Sequence, residues 1–160
     1  ARPYLDSVCR ILERSPQSIA VLGGTGDPAW ILDFIRVNGL DRRLFVVPEF
    51  VDGHVWGRML DVFLDTFPLT GGYSCRETMA KGTPVVHRRS DEMSNLGELL
   101  DPELEGRTVD EYENQVLRLL ADPVARKAAR LRAMEISRRN ADPATFGRRF
   151  DEALREACDS

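Results

Sequence analysis

The 160-residue chain contains no apolar run close to the ~20 residues that a membrane-spanning helix needs. No charged-then-apolar leader opens it either, and its first residue is Ala1 rather than methionine. Its three cysteines, Cys9, Cys75 and Cys158, are odd in number and lack metal-ligand spacing. They argue against a disulfide framework and point to a reducing, cytoplasmic compartment. Two histidines, His54 and His87, stand apart from Cys, Asp or Glu at the spacing zinc requires. Basic residues do not predominate: 22 Lys and Arg face 26 Asp and Glu, for a net charge of −4. That balance offers no electrostatic footprint for nucleic acid. The basic clusters at 126–132 and 138–139 read as solvated helix faces. No internal repeat or low-complexity tract occurs. A G-x-G-x-x-G fingerprint is also missing. Gly23-Gly24-Thr25-Gly26-Asp27 has the wrong spacing, and no acidic residue closes a following strand at the required distance.

What is present is the composition of a globular protein, 42% hydrophobic and 30% charged, at a length that favours one domain. Helix and strand patterns alternate. Tyr4–Arg14 sets Leu5, Val8, Cys9, Ile11 and Leu12 on one helical stripe. Ser18–Leu22 reads as a buried strand, and Asp27 with Pro28 opens a helix that Asn38-Gly39 closes. Arg43–Val47 is the next strand, His54–Leu60 a short helix and Asp61–Asp65 a further strand. Ser74–Lys81 is helical up to Gly82, and Pro84–His87 is a strand. From Val109 onward the pattern is helical, as Val109–Ala121, Pro123–Arg139 and Pro143–Ala157. Asp122-Pro123 and Asp142-Pro143 supply cap-plus-proline starts. The stretch 88–107 has no readable period. The fold class expected is α/β: a Rossmann-like open parallel sheet flanked by helices, with an all-helical C-terminal segment.

The chemistry gathers between the third expected strand and the helix after it. In an open parallel sheet, ligands bind beyond the carboxyl ends of the strands. Residues 65–74 (DTFPLTGGYS) occupy such a place. Gly71 and Gly72 let backbone approach a ligand closely. The helix start offers unpaired N–H groups and the positive end of a dipole, which suits phosphate. Ser74 can cap that helix or donate its hydroxyl. Glu77, one turn later, falls on the face of Tyr73 and Ser74, and an ionised carboxylate can accept from two vicinal ribose hydroxyls. Taken alone, a Gly-Gly turn before a helix is an ordinary turn.

Residues 77–86 (ETMAKGTPVV) are more specific. They resemble the donor-site signature of glycosyltransferases built from two facing Rossmann-like domains (the GT-B fold). Residues 61–74 (DVFLDTFPLTGGYS) are most similar to the branch of protein O-GlcNAc transferases and bacterial cytoplasmic N-glucosyltransferases. The likeness runs loosely from Ser18 to the C-terminal helices. It implies a nucleotide-sugar donor, UDP-linked, and transfer to an acceptor protein, glycan or small molecule, with no cofactor and no metal. It further implies that residues 1–140 form the nucleotide-sugar-binding domain, whose first strand precedes this stretch. Residues 141–160 would be a helix packing toward the enzyme's N-terminal domain. Position by position, Gly71, Gly72, Tyr73 and Ser74 would hold the diphosphate, Glu77 the ribose and His54 the uracil. Gly24 would face the sugar, and residues 46–48 the base edge.

The chain departs from that pattern in several places. Gly71 stands where Asn is usual, and Tyr73 and Ser74 replace two threonines. Leu69 stands where retaining relatives carry a second Glu, which points to the inverting group. No lysine matches the one that reaches the diphosphate. His87, Arg88 and Arg89 could face phosphates, with structural or solvated roles as the alternative. Cys75 lacks a base partner and is not expected to be a nucleophile, and Trp30 and Trp56 read as packing residues. Two readings from other classes remain: a non-catalytic binding module of the same fold, and an unrelated Rossmann-like enzyme using NAD or a phosphorylated substrate.

Overall fold

The computed structural model describes residues 2–89 and 99–158. Helix α1 (Arg2–Arg14) leads into strand β1 (Ala20–Gly23), helix α2 (Ala29–Val37) and strand β2 (Leu44–Val47). The short helix α3 (Gly53–Trp56) precedes β3 (Phe63–Leu64), α4 (Tyr73–Ala80) and β4 (Val85–Arg88). A 3-10 turn at Pro102–Leu104 delivers β5 (Glu105–Gly106). The chain then continues as α5 (Val109–Ala121), α6 (Pro123–Asn140) and α7 (Pro143–Cys158).

All pairings are parallel, as the helical connections between strands require. β1 pairs with β2 from Ala20↔Leu44 to Gly23↔Val47. β4 lies between β3 (Phe63↔Val85) and β5 (His87↔Glu105). These are two separate ladders, ordered β1-β2 and β3-β4-β5.

The core forms where the apolar stripe of α1 packs directly against α5 and the sheet. Leu5, Val8 and Leu12 are packed with Leu44, Val86, Tyr112, Val116 and Leu119. A polar clamp ties the same two helices. Glu113, 2% exposed, accepts hydrogen bonds from Ser7 Oγ (2.7 Å) and from Arg10 Nε (2.9 Å) and Nη2 (2.7 Å). A smaller cluster of Cys75, Met79, Val85, Leu100, Ala133 and Ile136 seats α4 on α6. Two of the expected caps are made by side chains. Asp122 accepts from the amides of Val124 and Ala125 at the start of α6, and Asp27 accepts from Ala29 N–H (2.9 Å) at the start of α2.

Several boundaries differ from the sequence reading. The expected strand Asp61–Asp65 is paired only at Phe63–Leu64, and the helix expected over His54–Leu60 is regular only over Gly53–Trp56. Strand β5 lies in the stretch that showed no period, being two residues long and too short for one to appear. Trp30, expected to pack, is 49% exposed on α2. The α7 residues Phe146, Phe150 and Leu154 are exposed, with the two phenyl rings stacked 6.2 Å apart. No helix among the described residues is long and apolar enough to cross a membrane.

Candidate functional site

The end of β3 is held from both sides by buried phenols. Tyr4 Oη donates to the Leu64 carbonyl (3.2 Å) and Tyr112 Oη to the Asp65 carbonyl (3.0 Å). Between them Phe67 makes edge-to-face contacts with both rings, at 5.6 and 5.3 Å. Such contacts favour one arrangement of three rings. The chain thus leaves the sheet from a rigid base.

Beyond it the loop folds back on Asp65. This carboxylate, 3% exposed, accepts from the Gly71 amide at 2.6 Å and from Cys75 Sγ at 3.1 Å. Thr66 Oγ1 donates to the Leu69 carbonyl (2.6 Å), and Thr70 Oγ1 accepts from the Gly72 amide (3.2 Å). Gly72 has φ 57° and ψ −114°, a left-handed backbone that glycine adopts without the Cβ penalty. Burial and the neighbouring Asp65 charge both push the Cys75 thiol up, so it stays protonated and is a poor nucleophile.

Helix α4 begins at Tyr73, with Gly72 at its cap position and no side-chain cap bond. The expectation that Ser74 caps this helix is therefore corrected. Ser74 lies inside the first turn, and its amide already bonds the Gly71 carbonyl (3.2 Å). Of the amides expected at a diphosphate, those of Gly72 and Ser74 are engaged within the turn, and that of Tyr73 has no partner among the described residues. The exposed Ser74 hydroxyl and the Tyr73 amide are the donors available there. The Tyr73 ring is 78% exposed, with the Arg76 guanidinium 5.9 Å from its centre.

Glu77 is carried by α4 against α3. A Cβ built on Gly53 would lie 2.5 Å from Glu77 Oε2, and one on Gly57 would lie 2.7 Å from the Gly53 carbonyl and 2.9 Å from Thr78 Cα. Two glycines four residues apart on one face let α4 come this close. Thr83 secures the approach by donating to the Gly57 carbonyl from below. His54 follows Gly53, exposed, and its amide is capped by Asp52 Oδ1 (2.7 Å). Glu77 and the α3 start bearing His54 are thus brought together, and no donor among the described residues occupies the Glu77 carboxylate.

Other expected residues fall elsewhere. Gly24 is exposed at the carboxyl end of β1, its amide bonded to the Val47 carbonyl (3.2 Å), in the other ladder. His87 is 3% exposed and donates through Nε2 to the Asp101 carbonyl (3.2 Å), a structural bond. Arg88 stacks 5.2 Å above the Phe67 ring, and its Nε is buried without a partner among the described residues. An open cavity of about 220 Å³ lies along α2 between Arg2, Trp30, Phe34 and Val37, away from this turn. Asp65 orders the turn, the role that its place at the end of the expected strand Asp61–Asp65 suggests. Sequence reasoning missed Gly53 and Gly57 as the packing face, for which the G-x-x-x-G spacing of residues 53–57 was the readable signal. Among the described residues no group of His, Cys, Asp or Glu is placed to hold a metal ion.

No protein-family model matches the sequence, and no curated protein matches it. Solved structures do. An O-GlcNAc transferase mutant from Thermobaculum terrenum superposes with a TM-score of 0.76 at 24% identity, over 97% of this chain and 34% of that one. The fold is that of the carboxyl-terminal domain of GT-B glycosyltransferases. A complex of a TarM mutant from S. aureus with fondaparinux, alpha-GlcNAc-glycerol and UDP gives a TM-score of 0.70 at 17% identity, covering 82% of this chain and 29% of that one. The C-terminal domain of a group 1 glycosyl transferase, LpcC from Francisella tularensis, gives 0.66 at 16% identity, over 83% of this chain and 74% of that one. The chain spans about a third of the length of the O-GlcNAc transferase it matches.

Proposed function

We propose that this chain binds a nucleotide-sugar donor, UDP-linked, as one half of a glycosyltransferase. The observation that carries the proposal is the meeting of Glu77 with the α3 start beside His54, next to a braced Gly-Gly turn. Glu77 accepts the ribose hydroxyls, and His54 lies beside the base. The Tyr73 amide and Ser74 hydroxyl, at the positive end of α4, take the diphosphate. Negative charge develops on that diphosphate as the glycosidic bond breaks, and fixed dipoles stabilise it without reorganising. The facing domain of the enzyme would supply the acceptor pocket and general base, for an acceptor hydroxyl or amide. Within this reading the protein–O-GlcNAc branch is the one that residues 61–86 favour.

Calorimetric titration with UDP, UDP-GlcNAc, UDP-glucose and NAD, in the presence of a chelator, tests this. UDP and at least one UDP-sugar bind, and NAD does not. Binding of none of them would favour a non-catalytic module, and binding that appears only when Mn²⁺ is restored would overturn the metal-free site.

A further inference from the structure

Among the described residues the aromatic rings that stand furthest into solvent are Phe50, 83% exposed, and Tyr73, 78% exposed. The next, Phe146, stacks on Phe150 of its own helix. Phe50 lies in the link from the end of β2 at Val47 to the start of α3 at Gly53, and Tyr73 opens α4. Each link leaves the carboxyl end of a parallel strand, where open sheets bind ligands. Apolar side chains exposed singly are ordinary on a protein surface. Here the two most exposed rings coincide with the two links that frame Glu77.

The backbone that carries Phe50 is held on both sides. Before it, the Val47 carbonyl accepts the Gly24 amide (3.2 Å), and Pro48 restricts the next φ. After it, a Cβ built on Gly23 would lie 2.7 Å from Val51 Cγ1, so Val51 is packed flat on the last residue of β1. Asp52 then caps α3. Its Oδ1 accepts the His54 amide (2.7 Å), and its carbonyl accepts the amides of Val55 and Trp56 (3.0 Å each). Covering an exposed phenyl ring is favourable, and a backbone already ordered lowers the entropic cost of doing so.

What covers the ring follows from the donor site proposed above, on which this inference rests. With the ribose hydroxyls on Glu77 and the diphosphate at the Tyr73 amide and Ser74 hydroxyl, the nucleotide has a direction. Its 5′ phosphate leaves the ribose toward the start of α4. The base at C1′ therefore extends the other way, over the start of α3 and toward residues 48–52. Tyr73 stands at the phosphate end, with the Arg76 guanidinium 5.9 Å from its ring centre. Phe50 stands at the base end, four residues before the exposed His54. A phenyl ring has no hydrogen-bonding group and a base presents two π faces, so the contact open to it is stacking. We propose that Phe50 stacks on the nucleobase of the donor, on the face opposite His54, so that the base is held between two rings. Stacking of this kind tolerates any base, so Phe50 supplies affinity while the choice of base falls to groups along the base edge.

Calorimetry on the complete polypeptide with UDP and with pyrophosphate, beside thermal unfolding, tests this. Phe50→Ala should weaken UDP binding about tenfold to a hundredfold and leave pyrophosphate affinity and Tm unchanged. Phe50→Trp should retain UDP affinity and add an indole fluorescence that UDP quenches. Phe50→Leu, apolar but without a π face, should recover little. If the wild type binds UDP and Phe50→Ala leaves that affinity unchanged, or lowers it no more than it lowers pyrophosphate affinity, the stacking is overturned while the UDP site stands. Full recovery in Phe50→Leu would overturn it as well, since bulk alone would then suffice. Failure of the wild type to bind UDP would remove the site itself and this inference with it.

Discussion

Gly53→Ala separates the donor-binding role proposed for Glu77 from its contribution to packing. The added Cβ would lie 2.5 Å from Glu77 Oε2, whereas ordinary contact begins near 3.4 Å, so the carboxylate tip must retreat by about 0.9 Å. A ribose hydrogen bond of about 2.8 Å then stretches beyond hydrogen-bonding range. Losing one bond to a charged acceptor costs about 1.5–3 kcal/mol, a tenfold to hundredfold weaker Kd for UDP. Stability should not follow. The group displaced furthest is the flexible end of a side chain, the Glu77 Cβ at 3.1 Å need give by only about 0.3 Å, and alanine gains roughly 0.5–1 kcal/mol over glycine in a helix. Gly57→Ala provides the contrast. Its Cβ meets backbone of Gly53 and Thr78 at 2.7 and 2.9 Å, so overpacking costs about 1–3 kcal/mol and Tm falls. Calorimetry with UDP and with pyrophosphate, beside thermal unfolding, reads both effects. An unchanged UDP affinity in Gly53→Ala, or an equal loss of pyrophosphate binding, would refute the assignment of Glu77 to ribose.

Other perturbations report on the frame around the turn. Asp65→Ala releases the Gly71 amide and lowers UDP affinity about tenfold, while Asp65→Asn, which keeps an acceptor oxygen, restores most of it; equal losses in both variants would deny the bracing role. Glu113→Ala leaves the Ser7 hydroxyl buried without its acceptor and frees Arg10, costing about 2–3 kcal/mol and a Tm drop of roughly 5–10 °C without altering UDP affinity. Burial raises the Cys9 and Cys75 thiols, with neighbouring acids adding to the effect, so their thiolate is scarcer at neutral pH than that of a free cysteine. Iodoacetamide at pH 8 should therefore label the exposed Cys158 in the folded protein, and mass spectrometry finding Cys75 labelled at a similar rate would contradict that environment.

The layered fold was legible because its signals are local. The stripe of Leu5, Val8 and Leu12, the Asp122-Pro123 cap and the apolar strands each advertise one element. The turn at residues 71–74 was legible as a place, since glycines between strand and helix mark it. What the sequence did not disclose was which groups would be free there. Whether the Ser74 and Gly72 amides are available depends on Gly71 folding back and on Thr70 lying within reach, and neither relation has a period or a spacing. The role of Asp65 in ordering the turn was legible from its place at a strand end, but not the particular amide it receives from six residues on. His87 shows the converse. Its position at a strand end left a phosphate role and a structural one both open, and burial beside the Asp101 carbonyl decides for structure.

The two phenols at the end of β3 tie the turn to distant parts of the chain, Tyr4 across 60 residues and Tyr112 across 47. Loop closure over such separations is entropically demanding, so these contacts form after local helices do. The turn's shape is consequently a late product of folding, set only once the first helix and α5 have both docked. During synthesis the turn cannot take its final shape until residue 112 has emerged. A lesion at either tyrosine would then show itself as slow acquisition of ligand binding during refolding, well before any loss of helical content.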